Sequence, residues 1–367
     1  MKKKRRRIKS TKQPETVCST EYKGKPAFIL AADTHIRDIA PACRTDNYIE
    51  AVFRKLEFLK QTATKYKIDI LHSGDIGDKC FFVKRENEKD KAVGWTAEVY
   101  NRFVDMFTEN IVSEPFEPII RSIPGNHDLP NHDINNLNKS VFHSLMSSKA
   151  VHILDEDRDD NYVGYDVYGC AWDCEIPKPA YPDNINILVI HKMIINQLPL
   201  WPGQVAPKAI DILKQNPDYN LIVSGDNHDT FVAEYNNRIL VNSGSMMRST
   251  TKQFDHKPCF FLYYPESHTI EKIFYPIESP ENVISLKHIE LKNKNSERTT
   301  KYADLVNKSD ISDLRTFKEN TEIFIADSNI SKNVVKHIRG FVNHEQPIET
   351  CEPGPDRPRV QQEIYKT

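Results

Sequence analysis

At 367 residues the chain has room for one large domain with an appendage, or for two domains. Hydrophobic residues make up 39% and charged residues 28%, the composition of a soluble globular protein, and a net charge of −2 excludes any global pull toward nucleic acid. No stretch approaches the roughly 18 apolar residues that span a bilayer, and the basic start is followed by no apolar core of a signal peptide.

Taken in order, residues 1–25 read as a flexible basic arm, opening with Lys2, Lys3, Lys4, Arg5, Arg6 and Arg7. Short apolar runs then alternate with helical patterns, the mark of a layered α/β domain. "AFILAA" (27–32) predicts a first buried strand. Ile49, Val52, Phe53, Leu56 and Leu59 share a helical face, with Thr45 or Asp46 as N-cap. "IDILHS" (68–73) predicts a second strand, a helical stripe runs from Val99 to Ile111, and "FEPIIRSI" (116–123) predicts a third strand. "VHIL", "VGYDVYGCAW", "INILVIH" and "LIVS" read as further strands, with a helix over 207–215. From Phe231 to about Pro276 the pattern changes to hairpins, the first turning at Asn236-Asn237. The core domain is expected over 26–281. A small α+β region over 282–345 follows, with a strand at "TEIFIA" (321–326) and a helix carrying Val334, Val335, Ile338, Phe341 and Val342. A proline-rich tail over 346–367 ends the chain. The seven cysteines are scattered and form no C-x-x-C pair, which fits a reducing cytosol.

The strongly apolar strands end alike. "FILAA" runs into Asp33-Thr34-His35, "DILHS" into Gly74-Asp75, and "IIRSIP" into Gly125-Asn126-His127-Asp128. "ILVI" runs into His191 and "LIVS" into Gly225-Asp226-Asn227-His228. Any one of these is an ordinary turn, and His72, His143 and His256 read as structural histidines. Five such endings at the carboxyl edge of a sheet, where α/β proteins gather their ligands, point to a site. Imidazole, carboxylate and amide oxygen together suit Mn²⁺, Fe²⁺ or Zn²⁺, and a carboxylate between two such ions serves hydrolysis at phosphorus.

This order of motifs (D-x-H, G-D, G-N-H-D, H, G-x-x-H) resembles the calcineurin-like metallophosphoesterase superfamily over about residues 27–276, and within it the SbcD-type DNA repair nucleases, phage and prophage forms included. "GDIGDK", "PGNHDLP" and "VNSGSMMRST" carry the likeness to that branch. The resemblance implies a four-layered α/β/β/α sandwich with a small C-terminal α+β appendage. It implies two divalent ions, with Asp33, His35 and His228 on the first, Asp75 bridging, and Asn126, His191 and Asp226 on the second. His127 would be the acid for the leaving oxygen, oriented by Asp78, while Asp128 would stabilise its turn. The superfamily usually has histidine where Asp226 stands. With Asp33, Asp75 and Asp226 the protein would supply −3 against the +4 of two ions, which favours Mn²⁺ over Zn²⁺. The implied function is DNA phosphodiester hydrolysis, by exonuclease or endonuclease action in repair, recombination or replication. The implied partners are DNA, an SMC-like ATPase of the SbcC type and a second copy of the chain, in bacterial or phage-infected cytoplasm near the nucleoid. Lys2 to Arg7 would add salt-sensitive DNA affinity. A phosphodiesterase or phosphatase for small molecules or cyclic nucleotides is the alternative substrate reading. A scaffold that had lost its metals would have lost several of these side chains, and this chain retains them.

Overall fold

A computed structural model of the chain describes residues 24–84, 94–108, 116–155, 162, 164–286, 298–299, 301, 317–328 and 330–343. The basic arm and the proline-rich tail therefore lie outside the described residues. Contacts divide the chain into two units, Met1–Leu286 and Lys287–Thr367.

The first unit is built on two sheets. In the first, β1 (Phe28–Ala31), β2 (Asp69–His72), β3 (Ile120–Ser122) and β4 (His152–Ile153) run parallel, in sequence order across the sheet. The hairpin of β10 (Cys259–Tyr264) and β11 (Thr269–Phe274) extends this sheet antiparallel beside β1. In the second, β5 (Tyr165–Cys170), β6 (Ile185–His191), β7 (Leu221–Gly225) and β9 (Arg238–Asn242) are parallel, and β8 (Phe231–Tyr235) closes the edge antiparallel to β9. Strands buried on both faces explain the unbroken apolar runs in the sequence.

Three apolar clusters resolve the layers. Ile29, Ile70, Ile120, Phe260 and Leu262 face α1 (Tyr48–Tyr66), α2 (Ala97–Phe107) and α3 (Val141–Ser147), meeting Val52, Phe53, Leu56, Phe103 and Phe142. The alternate residues Phe28, Leu30 and Leu71 point the other way, against Val167, Ile187, Val189, Val223 and Val241 of the second sheet. On the far side of that sheet, Leu188, Ile190, Ile222 and Leu240 cover Ile212 and Leu213 of α4 (Ala209–Gln215). The period-two alternation of each strand thus yields the expected α/β/β/α sandwich. No helix among the described residues is long and apolar enough to cross a membrane.

Local details differ from expectation. The N-cap of α1 is Asn47, whose side chain accepts from the Glu50 N–H, because Arg44 engages Asp46 through two hydrogen bonds. The third strand is only Ile120–Ser122, since Pro118 cannot donate to the ladder before it. The Asn236-Asn237 turn has φ of 48° and 55°, the mirror-image geometry that asparagine tolerates in a two-residue hairpin. A short helix, α5 (Pro280–Val283), follows the last hairpin, and Ile284 then pairs with Arg44.

In the second unit "TEIFIA" is helical rather than extended: it lies within α6 (Phe317–Asp327), followed by α7 (Lys332–Asn343). A strand needs a neighbour to fill its ladder, and none is present among the described residues of this unit; a helix satisfies its own backbone. Arg339 of α7 donates twice to the Glu322 carboxylate of α6, at 2.8 and 2.7 Å.

Candidate metal centre

The carboxyl ends of β1, β2 and β3 in one sheet and of β6 and β7 in the other converge, and the chain turns sharply as each strand stops. Asp33, His35, Asp75 and Asp226 have φ of 48°, 47°, 55° and 78°. Such left-handed backbone costs a non-glycine residue about 1–2 kcal/mol and gathers where function demands it. The adjoining glycines leave room for the side chains. A Cβ on Gly125 would overlap the Asp75 carboxylate, and one on Gly225 would lie 2.5 Å from the Ser73 carbonyl oxygen.

The turns bring the side chains into one buried cluster. Asp33, His35 and His228 each present a ligating atom within 4.8 Å of the others, as do Asp33, Asp75 and His191, and as do His35, Asp75 and His127. His35 Nε2 and His228 Nε2 are 3.0 Å apart, and His191 Nε2 lies 3.0 Å from Asn126 Oδ1. Asp75 sits between the two groups, its Oδ2 3.6 Å from His35 Nε2 and 3.5 Å from His191 Nε2. His191 Nδ1 donates to the Ser73 carbonyl at 2.6 Å, which turns Nε2 toward the cluster, where it faces Asn126 Oδ1 and Asp75.

Charges crowd here. Burial, together with Asp75 and Asp226, pushes the Asp33 carboxyl well above the usual carboxylate range. Burial would do the same to Asp75, but His191, His35 and His127 hold it below that range. Burial alone would lower His191; Asp75, Asp33 and Asp226 override it and raise it to about 10. Burial pushes His35 well down, against the pull of Asp75. Two buried polar atoms, Asp33 Oδ2 and His35 Nδ1, have no hydrogen-bond partner. Crowded carboxylates, neutral imidazoles and an orphaned carboxylate oxygen are what divalent cations would satisfy. The residues fit a metal centre, with Asp33, His35 and His228 on one side of Asp75 and Asn126 and His191 on the other.

Asp226 stands differently from the rest. It belongs to none of the three close groups; its N–H donates to Asp33 Oδ1 at 3.1 Å, and its carboxylate is raised by burial, with His191 opposing and Asp75 adding to the shift. His127 is held through its N–H to Asp75 Oδ1 at 2.9 Å and through Nδ1 to the carbonyl oxygen of Asp78 at 2.8 Å. The main chain of Asp78 thus holds the imidazole, while the carboxylate expected to do so pairs with Arg37 at 3.2 Å. Asp128 accepts from the N–H groups of Ile76, Gly77 and Gly125, tying the β2 and β3 turns together as a turn stabiliser should. His72 is buried beside Thr34 and Ser122, and His256 takes no part in the cluster: its Nε2 contacts the Ser245 carbonyl.

Several supports carried no sequence signal. Asn227 donates to the Ile194 carbonyl and accepts from the Asp229 N–H, so it locks the last loop. Asn242 donates to the carbonyls of Asn227 and Asp229, and the Met246 N–H donates to the Asp33 carbonyl. Trp172 lies with its ring centre 6.1 Å from that of His191 and lines, with Lys192 and Met193, a cavity of about 240 Å³ beside it. Only "CAWDC" hints at this wall, and nothing in its spacing marks it.

No family model matches the chain, and no curated protein matches it in sequence. Among solved structures it is similar to TT1561 of Thermus thermophilus, at 13% identity and TM-score 0.39 over 68% of this chain and 99% of that one. It is similar to a novel archaeal phosphodiesterase at 10% identity and TM-score 0.34, over 67% and 98% of the two chains. Vps29 complexed with Zn²⁺ from Entamoeba histolytica matches at 12% identity and TM-score 0.30, over 68% and 99%.

Proposed function

We propose that this protein is a two-metal phosphodiesterase that hydrolyses DNA, of the SbcD kind, working best with Mn²⁺. The observation that carries the reading is the position of Asp75, one carboxylate within 3.6 Å of His35 and 3.5 Å of His191, between two sets of candidate ligands. When bound, a pair of divalent ions supplies an activated water and neutralises the charge that builds at phosphorus. Asp33, His35 and His228 would hold one ion; Asn126, His191 and Asp226 would hold the other; Asp75 would be shared.

The chain's own groups supply the rest. His127, braced by Asp75 and the Asp78 carbonyl, would give a proton to the departing oxygen. Ser73 holds His191 through Nδ1, so Nε2 is the nitrogen that would meet a cation, giving up its proton to do so. DNA is favoured by the sequence likeness and by the basic run from Lys2 to Arg7, which can neutralise several backbone phosphates. An SMC-like ATPase partner and a cytoplasmic setting rest on that likeness alone. The cavity beside Trp172 favours a second reading, in which a nucleotide-sized phosphodiester is the substrate.

Labelled linear and hairpin DNA incubated with Mn²⁺ should be cleaved, and the Asp75→Ala and His127→Ala variants should leave it intact. Turnover of bis-p-nitrophenyl phosphate without any DNA cleavage would move the assignment to the small-substrate reading. Inertness toward both with every divalent metal would sink the enzyme reading.

A further inference from the structure

On the other side of the 243–249 loop from Asp33 lies a cavity of about 160 Å³ whose charge is unbalanced. Arg44, Arg54, Lys55 and Arg248 line it against only two carboxylates, Asp46 and Glu278. Three of the cations are deeply placed: the Arg44 side chain is 4% exposed, Lys55 5% and Arg248 4%. Only Arg44 has a carboxylate partner, the two oxygens of Asp46 at 2.8 and 2.6 Å. Lys55 Nζ donates to the Met246 carbonyl at 2.7 Å, and Arg248 donates to the carbonyls of His256 and Glu278 at 2.7 and 3.0 Å. Among the described residues neither has a carboxylate within 4.0 Å.

Carbonyl oxygens satisfy the hydrogen-bonding needs of these groups but neutralise no charge. A neutral side chain would hold the loop as well, without the cost of burying like charges together. Burial and the neighbouring Arg44, Arg248 and Arg54 together push the Lys55 ammonium down to about 7, the direction that such crowding demands. With Lys55 protonated, four basic side chains against two carboxylates leave a surplus of two positive charges, the complement of one phosphate dianion, which would itself favour the protonated form of Lys55. Size agrees: a cavity of about 150 Å³ holds one benzene, so this one takes a single phosphoryl group and excludes a whole nucleotide.

We propose that this cavity binds a terminal phosphate, either free phosphate or the monoester end of a larger molecule, at a site separate from the metal centre. The two sites share one residue of backbone. The Met246 carbonyl accepts from Lys55, and the Met246 N–H donates to the Asp33 carbonyl, so an anion that draws Lys55 toward itself acts on the turn that carries Asp33.

The test is thermal unfolding of the full chain, freed of metal with a chelator, against inorganic phosphate with chloride balancing the ionic strength. A saturable rise in Tm is expected, with the midpoint raised about tenfold or more in Arg54→Gln and in Lys55→Met, the loss that follows removal of one charge-assisted contact. Arg54 is exposed, so its variant carries the test even if Lys55→Met folds poorly. In Asp75→Asn the midpoint should stay where it is. A second arm compares a 5′-phosphorylated dinucleotide with its unphosphorylated form; equal midpoints for phosphate and the phosphorylated form identify free phosphate, and a tighter phosphorylated form identifies a strand end. No saturable response beyond chloride, a response unchanged in Arg54→Gln, or one abolished by Asp75→Asn would overturn the proposal.

Discussion

His127 is gripped at both its main chain and its ring, by Asp75 Oδ1 and by the Asp78 carbonyl, so its imidazole has one orientation before any substrate arrives. Truncation to Ala should lower kcat by about 10²–10⁴, the usual worth of general acid catalysis, while Mn²⁺ affinity measured by titration stays close to that of the parent. A parallel loss of metal would instead make His127 a ligand, a role open to it because it shares a close group with His35 and Asp75. Under the proposed function, Asp226 would be the residue that tunes the ion. Replacing it with His removes one negative charge from a cluster that already pushes Asp33 and Asp226 up. Asp226→His should therefore shift preference from Mn²⁺ toward Zn²⁺, read as the ratio of initial rates with each metal. The six residues Asp33, His35, Asp75, Asn126, His191 and His228 were legible in sequence because each lies within a few residues of the end of an apolar run. The lock on His127 was not, since a main-chain carbonyl is present at every position and leaves no mark on residue type.

The helix α1 carries a buried lysine in its middle, a pattern that periodicity reads as an interruption of the apolar face. Burial, with Arg44 and Arg248 adding, pushes the Lys55 ammonium down to about 7 in the folded protein, from 10.5 for a free lysine. The unfolded chain therefore holds the extra proton between those values, and stability rises with pH across that window. Lys55→Met should remove the slope. Its gain should be on the order of 3 kcal/mol at and below about pH 7, after allowance for the lost bond to Met246, and should fade by about pH 10. Urea unfolding of both proteins across that range checks it; a constant difference would reject it. Element types in the first unit were readable because buried strands and one-sided helices have different periods. In the second unit the same reasoning misread 321–326, where β-branched Ile323 and Ile325 sit in a helix tied by Glu322 to Arg339. Side-chain preference is weak beside the availability of a partner for the backbone.

Across the whole molecule, the candidate ligands come from two sheets and span positions 33 to 228. The layered architecture was legible from the order of apolar runs, whereas the division of the ligand-bearing strands between two facing sheets was not, because no short-range signal encodes it. Under the proposed function divalent ions would bind only the folded arrangement, so Mn²⁺ at about 100 times its dissociation constant should add roughly 2.7 kcal/mol, and a chelator should reverse the rise in Tm. The apolar interior between the sheets is continuous, yet at this edge its seam is closed by groups that repel one another. A cation there would act as a clasp across the seam. Without it, amides of β6 and β7 should exchange with solvent through partial opening of that edge, well before the chain unfolds as a whole. With the clasp closed, those amides should slow to the rate of global unfolding, so that one small ion sets whether the two halves breathe separately or as one body.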